Sequence, residues 1–317
     1  MRQDQLRAFD TWTAATSVSQ RVLGHCPCCG HNERSLWFQN NDVILHRCRR
    51  CGVAYQDPQP DLTALLKQSY SEEYFSSCRQ RLSDQTAALQ ARLADIERLA
   101  WADDTPHRPL RALDVGSGIG AWLLAAKARG WQPVGLEPSP YAARYCTETL
   151  GLDVQQGTLD DAITWPSPFD VINLNHVLEH FQRPFENLQR VRELLRPGGV
   201  LAVEVPREGR LASLLLHTLS AWRGATRYPR PAFTIVHMCI FTPASLRSLL
   251  ERAGFSVERL WVEGNAASPE RYQERFGDSP PLGKLLGRAS QWCQADVWAG
   301  MGNIVALARR PQEKDAS

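Results

Sequence analysis

From residue 110 onward, short apolar runs alternate with amphipathic stretches, and this rhythm organises most of the chain. LRALDVG (110–116), QPVGLE (132–137), LDVQQG (152–157), FDVINLN (169–175) and GVLAVEVP (199–206) read as strands. AWLLAAKARG, SPYAARYCTETLG and FENLQRVRELLR read as the helices between them. SLRSLLERAGF then adds a helix, and SVERLWVE and GNIVALARR add two strands. Strands separated by helices imply an α/β fold, a mostly parallel sheet of seven strands. Upstream the period changes. Leu82, Leu89, Leu93, Ile96 and Leu99 recur at steps of seven, four and three, the stripe of one long helix ending before the polar ADDTPHRP. The helical region begins at LTALLKQSYSEEYF (62–75), after the turn DPQPD (57–61).

Nearer the start, SLWF and VILH flank NND and read as a hairpin. Cys26 and Cys29 precede the hairpin, Cys48 and Cys51 follow it, and each pair is followed by a glycine, Gly30 or Gly52. Two such CxxC turns can aim four thiolates at one tetrahedral zinc ion, the arrangement of a zinc ribbon. Four cysteine ligands close the coordination sphere, so this zinc is expected to fold the module rather than react. Cys28, His25, His31 and His46 break the symmetric spacing and are treated as bystanders. The expected organisation is an N-terminal segment and zinc ribbon at 1–56, a helical connector at 57–107, and the sheet domain at 108–317. An insertion at about 207–236 is expected to act as a lid.

Composition narrows the function. Thirty-six basic residues against 34 acidic give a formal charge of +2, which disfavours a chain built mainly to hold nucleic acid. Residues 21–56 nevertheless carry five arginines against Glu33 and Asp42, so an RNA-presenting ribbon stays open beside a solvated basic face. No run reaches the roughly 18–20 apolar residues of a membrane span. The longest candidate, Leu211 to Trp222, is broken by Ser213, His217, Thr218 and Ser220. MRQDQLRAFD lacks a secretory apolar core, so a cytoplasmic location is expected, with the nine cysteines as thiols or metal ligands.

LDVGSGIG (113–120) joins the first strand to its helix through Gly116, Gly118 and Gly120, a loop that lets a ligand lie against the backbone. Asp114 ends the strand where it can reach a ligand's amino group. Glu137 ends the second strand, placed for ribose hydroxyls. Taken in order, LDVGSGIG, the acid of GLEPS, FDVINLNHVLEHFQRP and LLRPGG resemble the motifs of class I S-adenosylmethionine-dependent methyltransferases. The resemblance implies that the glycine loop holds the methionine part, Glu137 the ribose, and residues after the third strand the adenine. Where many members have Gly-Asp, this chain has Gly157-Thr158-Leu159-Asp160-Asp161, leaving Asp160 either an adenine contact or a helix cap. It also implies that SYSEEYF (69–75) caps the cofactor with Tyr70 or Tyr74; packing of a helix is the alternative.

Asn175, His176, Glu179 and His180 follow the fourth strand, at the carboxyl end of the sheet where ligands bind. Asn175 is assigned to the cofactor. His176 is the first candidate for the base that removes an acceptor proton, with His237 and His180 as the others. Between Pro206 and Pro231 five arginines stand against Glu208 alone, which suits an anionic acceptor; the competing reading is a peripheral membrane contact through 210–222. The ribbon followed by a methyltransferase resembles bacterial enzymes of sugar, polysaccharide and natural-product pathways. The sugar C-methyltransferases' extra C-terminal domain is not expected, so O-methylation of a small molecule is favoured. The alternatives are an RNA methyltransferase and a non-catalytic S-adenosylmethionine-binding subunit.

Overall fold

The computed structural model describes residues 20–39, 43–61, 72–101, 108–161, 165, 168–207, 237–263 and 302–312. In the N-terminal module, β1 (Gln20–Arg21) pairs antiparallel with β5 (Gln59–Pro60). Between them run β2 (Arg34–Gln39), β3 (Ile44–Cys48) and β4 (Ala54–Gln56), an antiparallel meander. Buried Asp57 closes its base. The carboxylate pairs with Arg34 and accepts the backbone N–H of Leu23 at 2.9 Å and of Gly24 at 3.3 Å.

Among the described residues three helices follow: α1 (Glu72–Arg79), α2 (Leu82–Ala88) and α3 (Gln90–Ala100). The single long helix expected from Leu82 is thus two helices broken at Leu89. Thr86 Oγ1 bonds back to the carbonyl of Leu82 at 2.7 Å, the kind of back-bonding that bends a helix. The apolar stripe survives, because Leu93 and Ile96 are fully buried. Glu97 on α3 is locked by Arg129 and by Trp131 Nε1 at 2.8 Å, tying the connector to the sheet domain.

The large sheet is built from β6 (Arg111–Val115), β7 (Gln132–Glu137), β8 (Val154–Gln156), β9 (Phe169–Asn175) and β10 (Leu195–Pro206). Helix α4 (Ala121–Ala128) joins β6 to β7, and α6 (Pro184–Leu194) joins β9 to β10. The helix expected over 139–151 is α5 (Pro140–Arg144), continued by a π-helical turn at Tyr145–Thr149. After residue 236 come β11 (Cys239–Ile240), α7 (Pro243–Arg252), β12 (Ser256–Glu263) and β13 (Asn303–Arg309). The sheet order is β12-β13-β10-β9-β6-β7-β8, parallel except that β13 runs antiparallel to both its neighbours. The seven-stranded α/β fold read from the sequence is therefore present.

One connection was not expected. β11 pairs antiparallel with β4, so the N-terminal meander becomes a four-stranded sheet ordered β11-β4-β3-β2. The buried cysteines of the module share one apolar core with Leu174, Leu178 and Val205 of the sheet domain. Apart from Arg207, which bridges to Phe241, the insertion at 207–236 and the segment 210–222 lie outside the described residues. Among the described residues, no helix is long and apolar enough to cross a membrane.

Candidate active site and thiolate cluster

The carboxyl ends of β6, β7 and β9 meet around the glycine loop. Gly116, Gly118 and Gly120 have φ of 70°, 53° and 83°, conformations that strain any residue with a Cβ. Space is limiting as well: a Cβ on Gly116 would come within 2.6 Å of Val177 Cγ2. The loop therefore exposes bare backbone and rests directly on the segment after β9.

Two carboxylates face this loop from buried positions. Glu137 accepts the backbone N–H of Gly118 at 2.7 Å and of Ser139 at 2.8 Å. Burial still pushes its carboxyl up to about 6. Asp114 accepts Asn173 Nδ2 at 2.7 Å, but burial, with Glu137 adding to it, pushes it up to about 7. Buried acids raised in this way are poised for a cationic ligand. Sequence reading missed Asn173, whose signal was an amide flanked by Ile172 and Leu174 in the buried middle of β9.

Over the loop lies α1. Tyr74, Phe75, Cys78, Gln85, Ser117 and Ile119 help line a cleft of about 160 Å³, with Phe75 stacked on Tyr141. Tyr74 is thus at the cleft, while Tyr70 lies outside the described residues. Ser117 Oγ and Asn175 Oδ1 are buried and have no hydrogen-bond partner among the described residues. A nucleoside–amino acid ligand fits this setting: bare backbone, two raised carboxylates and orphaned polar atoms. Asp160 is half-exposed and accepts Arg183 Nη2 at 2.7 Å, whereas the turn itself is capped by Asp161, which accepts the N–H of Thr158 at 2.6 Å.

The three candidate histidines surround one carboxylate. Glu179, 1% exposed, has Oε1 3.4 Å from His176 Nδ1 and 3.8 Å from His180 Nε2. The rings of His180 and His237 lie 5.0 Å apart. His176 has φ of 54°, the one non-glycine residue among those described with a positive value. Its Nε2 is 3.2 Å from Asn303 Nδ2, and Asn303 also donates to Glu204 Oε1 at 2.5 Å. An amide donor at Nε2 leaves the proton on Nδ1, facing Glu179. Burial draws His176 down, but Glu179 outweighs it and holds the imidazole above its ordinary value. Burial pushes His237 down to about 4. Glu204 and Asn303, at the ends of β10 and β13, were not found from the sequence.

In the N-terminal module, Cys26, Cys29, Cys48 and Cys51 place their sulfurs within 4.8 Å of one another. Cys26 Sγ is 3.6 Å from Cys51 Sγ, and Cys29 Sγ is 3.5 Å from Cys48 Sγ. Sulfurs held about 2.3 Å from a tetrahedral zinc stand roughly 3.8 Å apart. The cluster is compatible with a zinc ribbon.

A parallel sheet with an antiparallel strand inserted beside its last parallel one, and with its ligand loop after the first strand, defines the class I S-adenosylmethionine-dependent methyltransferases. A family model described as "Methyltransferase domain" matches residues 80–260, and the chain belongs to that family. It is similar to a tRNA U34 carboxymethyltransferase of Syntrophotalea carbinolica, with 31% identity over 52% of this chain and 52% of that one. The chain thus spans about half the length of that relative. A ubiquinone biosynthesis O-methyltransferase of Cereibacter sphaeroides is 30% identical over 51% of this chain and 67% of its own. The tRNA 5-carboxymethoxyuridine methyltransferase of Escherichia coli is 26% identical over 70% and 87%. Among solved structures, phosphoethanolamine N-methyltransferase 2 of Haemonchus contortus, in complex with S-adenosyl-L-methionine, has a TM-score of 0.52 at 14% identity. It covers 88% of this chain and 71% of that one, a likeness of fold.

Proposed function

We propose that this chain transfers the methyl group of S-adenosylmethionine to an oxygen of a small, anionic acceptor, with His176 as the base. The observation that carries the reading is the His176–Glu179 pair beside Val177, whose side chain touches the cofactor loop at Gly116. Glu179 holds the Nδ1 side of the ring, which leaves Nε2 to take the proton of an acceptor hydroxyl once Asn303 yields it. Asp114 would hold the amino group of the methionine part, Glu137 the ribose hydroxyls, and Asn175 and Ser117 the remaining polar edge. The five arginines in the sequence after β10 support an anionic acceptor. We further propose that Cys26, Cys29, Cys48 and Cys51 hold one structural zinc.

The test is methyl transfer from labelled S-adenosylmethionine into extracts of cells lacking this chain, separated into metabolite and RNA fractions. Label in small metabolites is expected, with His176→Gln lowering turnover by about 10²–10⁴-fold at unchanged cofactor affinity. A second reading has one specific support. On the N-terminal module Arg47 stacks over Trp37, with Arg49 and Arg50 exposed, a surface suited to RNA. Label entering RNA instead, with a steep salt dependence, would establish that reading.

A further inference from the structure

Glu179, His180 and His237 do more than surround the acceptor end. Each offers one ligating atom, and these atoms lie within 4.8 Å of one another. Both oxygens of Glu179 are buried, and the long 3.4 Å contact of Oε1 with His176 Nδ1 leaves the carboxylate with further capacity to accept. A carboxylate this buried costs several kcal/mol unless its charge is balanced, and a cation held together with the neighbouring imidazoles would balance it. The rings of His180 and His237 are tilted at 57° to each other and are not stacked.

The backbone fixes the three side chains together. Met238 N–H donates to the carbonyl of Glu179 at 2.7 Å, which pins the residue after His237 to the residue before His180. The cluster is therefore assembled by two distant segments, and it lies beside His176 rather than including it.

We propose that Glu179, His180 and His237 form a second metal site, for a divalent first-row transition ion. Two imidazoles and a carboxylate favour zinc, manganese or iron(II) over magnesium or calcium, which prefer all-oxygen ligands. Three protein ligands leave coordination positions open, unlike the closed set of four thiolates at the ribbon. The role of the ion rests on the methyltransferase reading above. An ion here draws charge from an acceptor hydroxyl, and the hydroxyl proton passes to His176. The oxygen pair then bonds the methyl carbon while the carbon–sulfur pair stays on sulfur, giving S-adenosylhomocysteine and the methyl ether.

Electron paramagnetic resonance with Mn²⁺ alone tests the site on the full chain carrying its ribbon metal. Wild type is expected to remove about one equivalent of Mn²⁺ from the free-ion signal. His237→Ala and Glu179→Gln should each weaken that binding at least about tenfold. Ribbon metal content and S-adenosylmethionine binding are measured on both variants as the check of folding, and His237→Ala carries the test if Glu179→Gln does not fold. Mn²⁺ left free by the wild type, or bound equally by the folded variants, overturns the site. The readout needs no methyl transfer: an active chain that ignores Mn²⁺ sinks this inference alone, and an inactive chain that binds it sinks only the proposed reaction.

Discussion

Gln56 donates its backbone N–H to the carbonyl of Met238 at 2.9 Å, so the last residue of β4 is bonded to the neighbour of His237. β4, which carries Gln56, begins three residues after Cys51. The thiolate cluster therefore sets the position of the strand against which the acceptor-side segment is built. Weakening the cluster should misplace His237 more than it disturbs the glycine loop. Cys48→Ser is expected to lower turnover on the order of 100-fold, the penalty of a displacement near 1 Å, with little change in cofactor affinity. Kinetics set beside calorimetry decide it: equal losses in both would mean that the module only stabilises the fold.

The cofactor site should respond to pH in a defined direction. Asp114 is pushed up to about 7 and Glu137 to about 6, both above the ordinary carboxylate range. A carboxylate raised on folding makes the ligand-free chain lose stability as pH rises from about 4 through about 7. A cationic cofactor needs the ionised forms, so its affinity should increase over the upper part of that window, with proton uptake by buffer. Calorimetry in buffers of different ionisation enthalpy measures this. Affinity flat between pH 5.5 and 8 would show that neither acid meets the ligand's charge. Glu137→Ala should weaken binding by about 1–3 kcal/mol, roughly 5- to 150-fold.

Gly116 gives a steric test. Its φ of 70°, and the 2.6 Å that would separate Val177 from a methyl group at this position, leave no place for alanine. Gly116→Ala should cost about 1–3 kcal/mol of stability and reduce cofactor affinity as the loop shifts. Trimming the obstacle with Val177→Ala in the same chain should recover part of the loss, and a thermal melt reads this directly. No recovery would place the defect in the backbone angle alone.

Legibility in the sequence followed burial. FDVINLN coincides with β9, six of whose seven residues are buried, so that its apolar positions mark the strand clearly. β11 is two residues long and pairs with a strand almost two hundred positions earlier, so no local pattern could announce it. Glu204 and Asn303 were overlooked because each reads as an isolated polar residue in an apolar strand. Their meaning appears only when β10 and β13 are set side by side with His176. The cysteine pairs and the glycine loop were legible for the opposite reason, since their geometry is local.

Asp170 offers a prediction on the stability of the sheet, independent of the chemistry. It begins β9 as FDV, at the amino end of the sheet and away from the glycine loop, and is 2% exposed. Arg108 pairs with it, Arg196 Nε donates to it at 2.6 Å, and the N–H of Arg111 donates at 2.8 Å. Burial raises its carboxyl, but the arginine bonds outweigh burial and hold it below the ordinary value. A depressed carboxylate contributes stability that is present above the ordinary aspartate range and is lost as pH falls through the folded value. Asp170→Ala removes the shared partner of two arginines at once and should cost about 3 kcal/mol, the scale of a broken buried pair. Because the residue is remote from Asp114 and Glu137, cofactor affinity of the folded fraction should stay unchanged. The difference in melting temperature between wild type and Asp170→Ala should shrink toward pH 3. A difference that persists undiminished at that pH would mean that the side chain acts through packing, not charge.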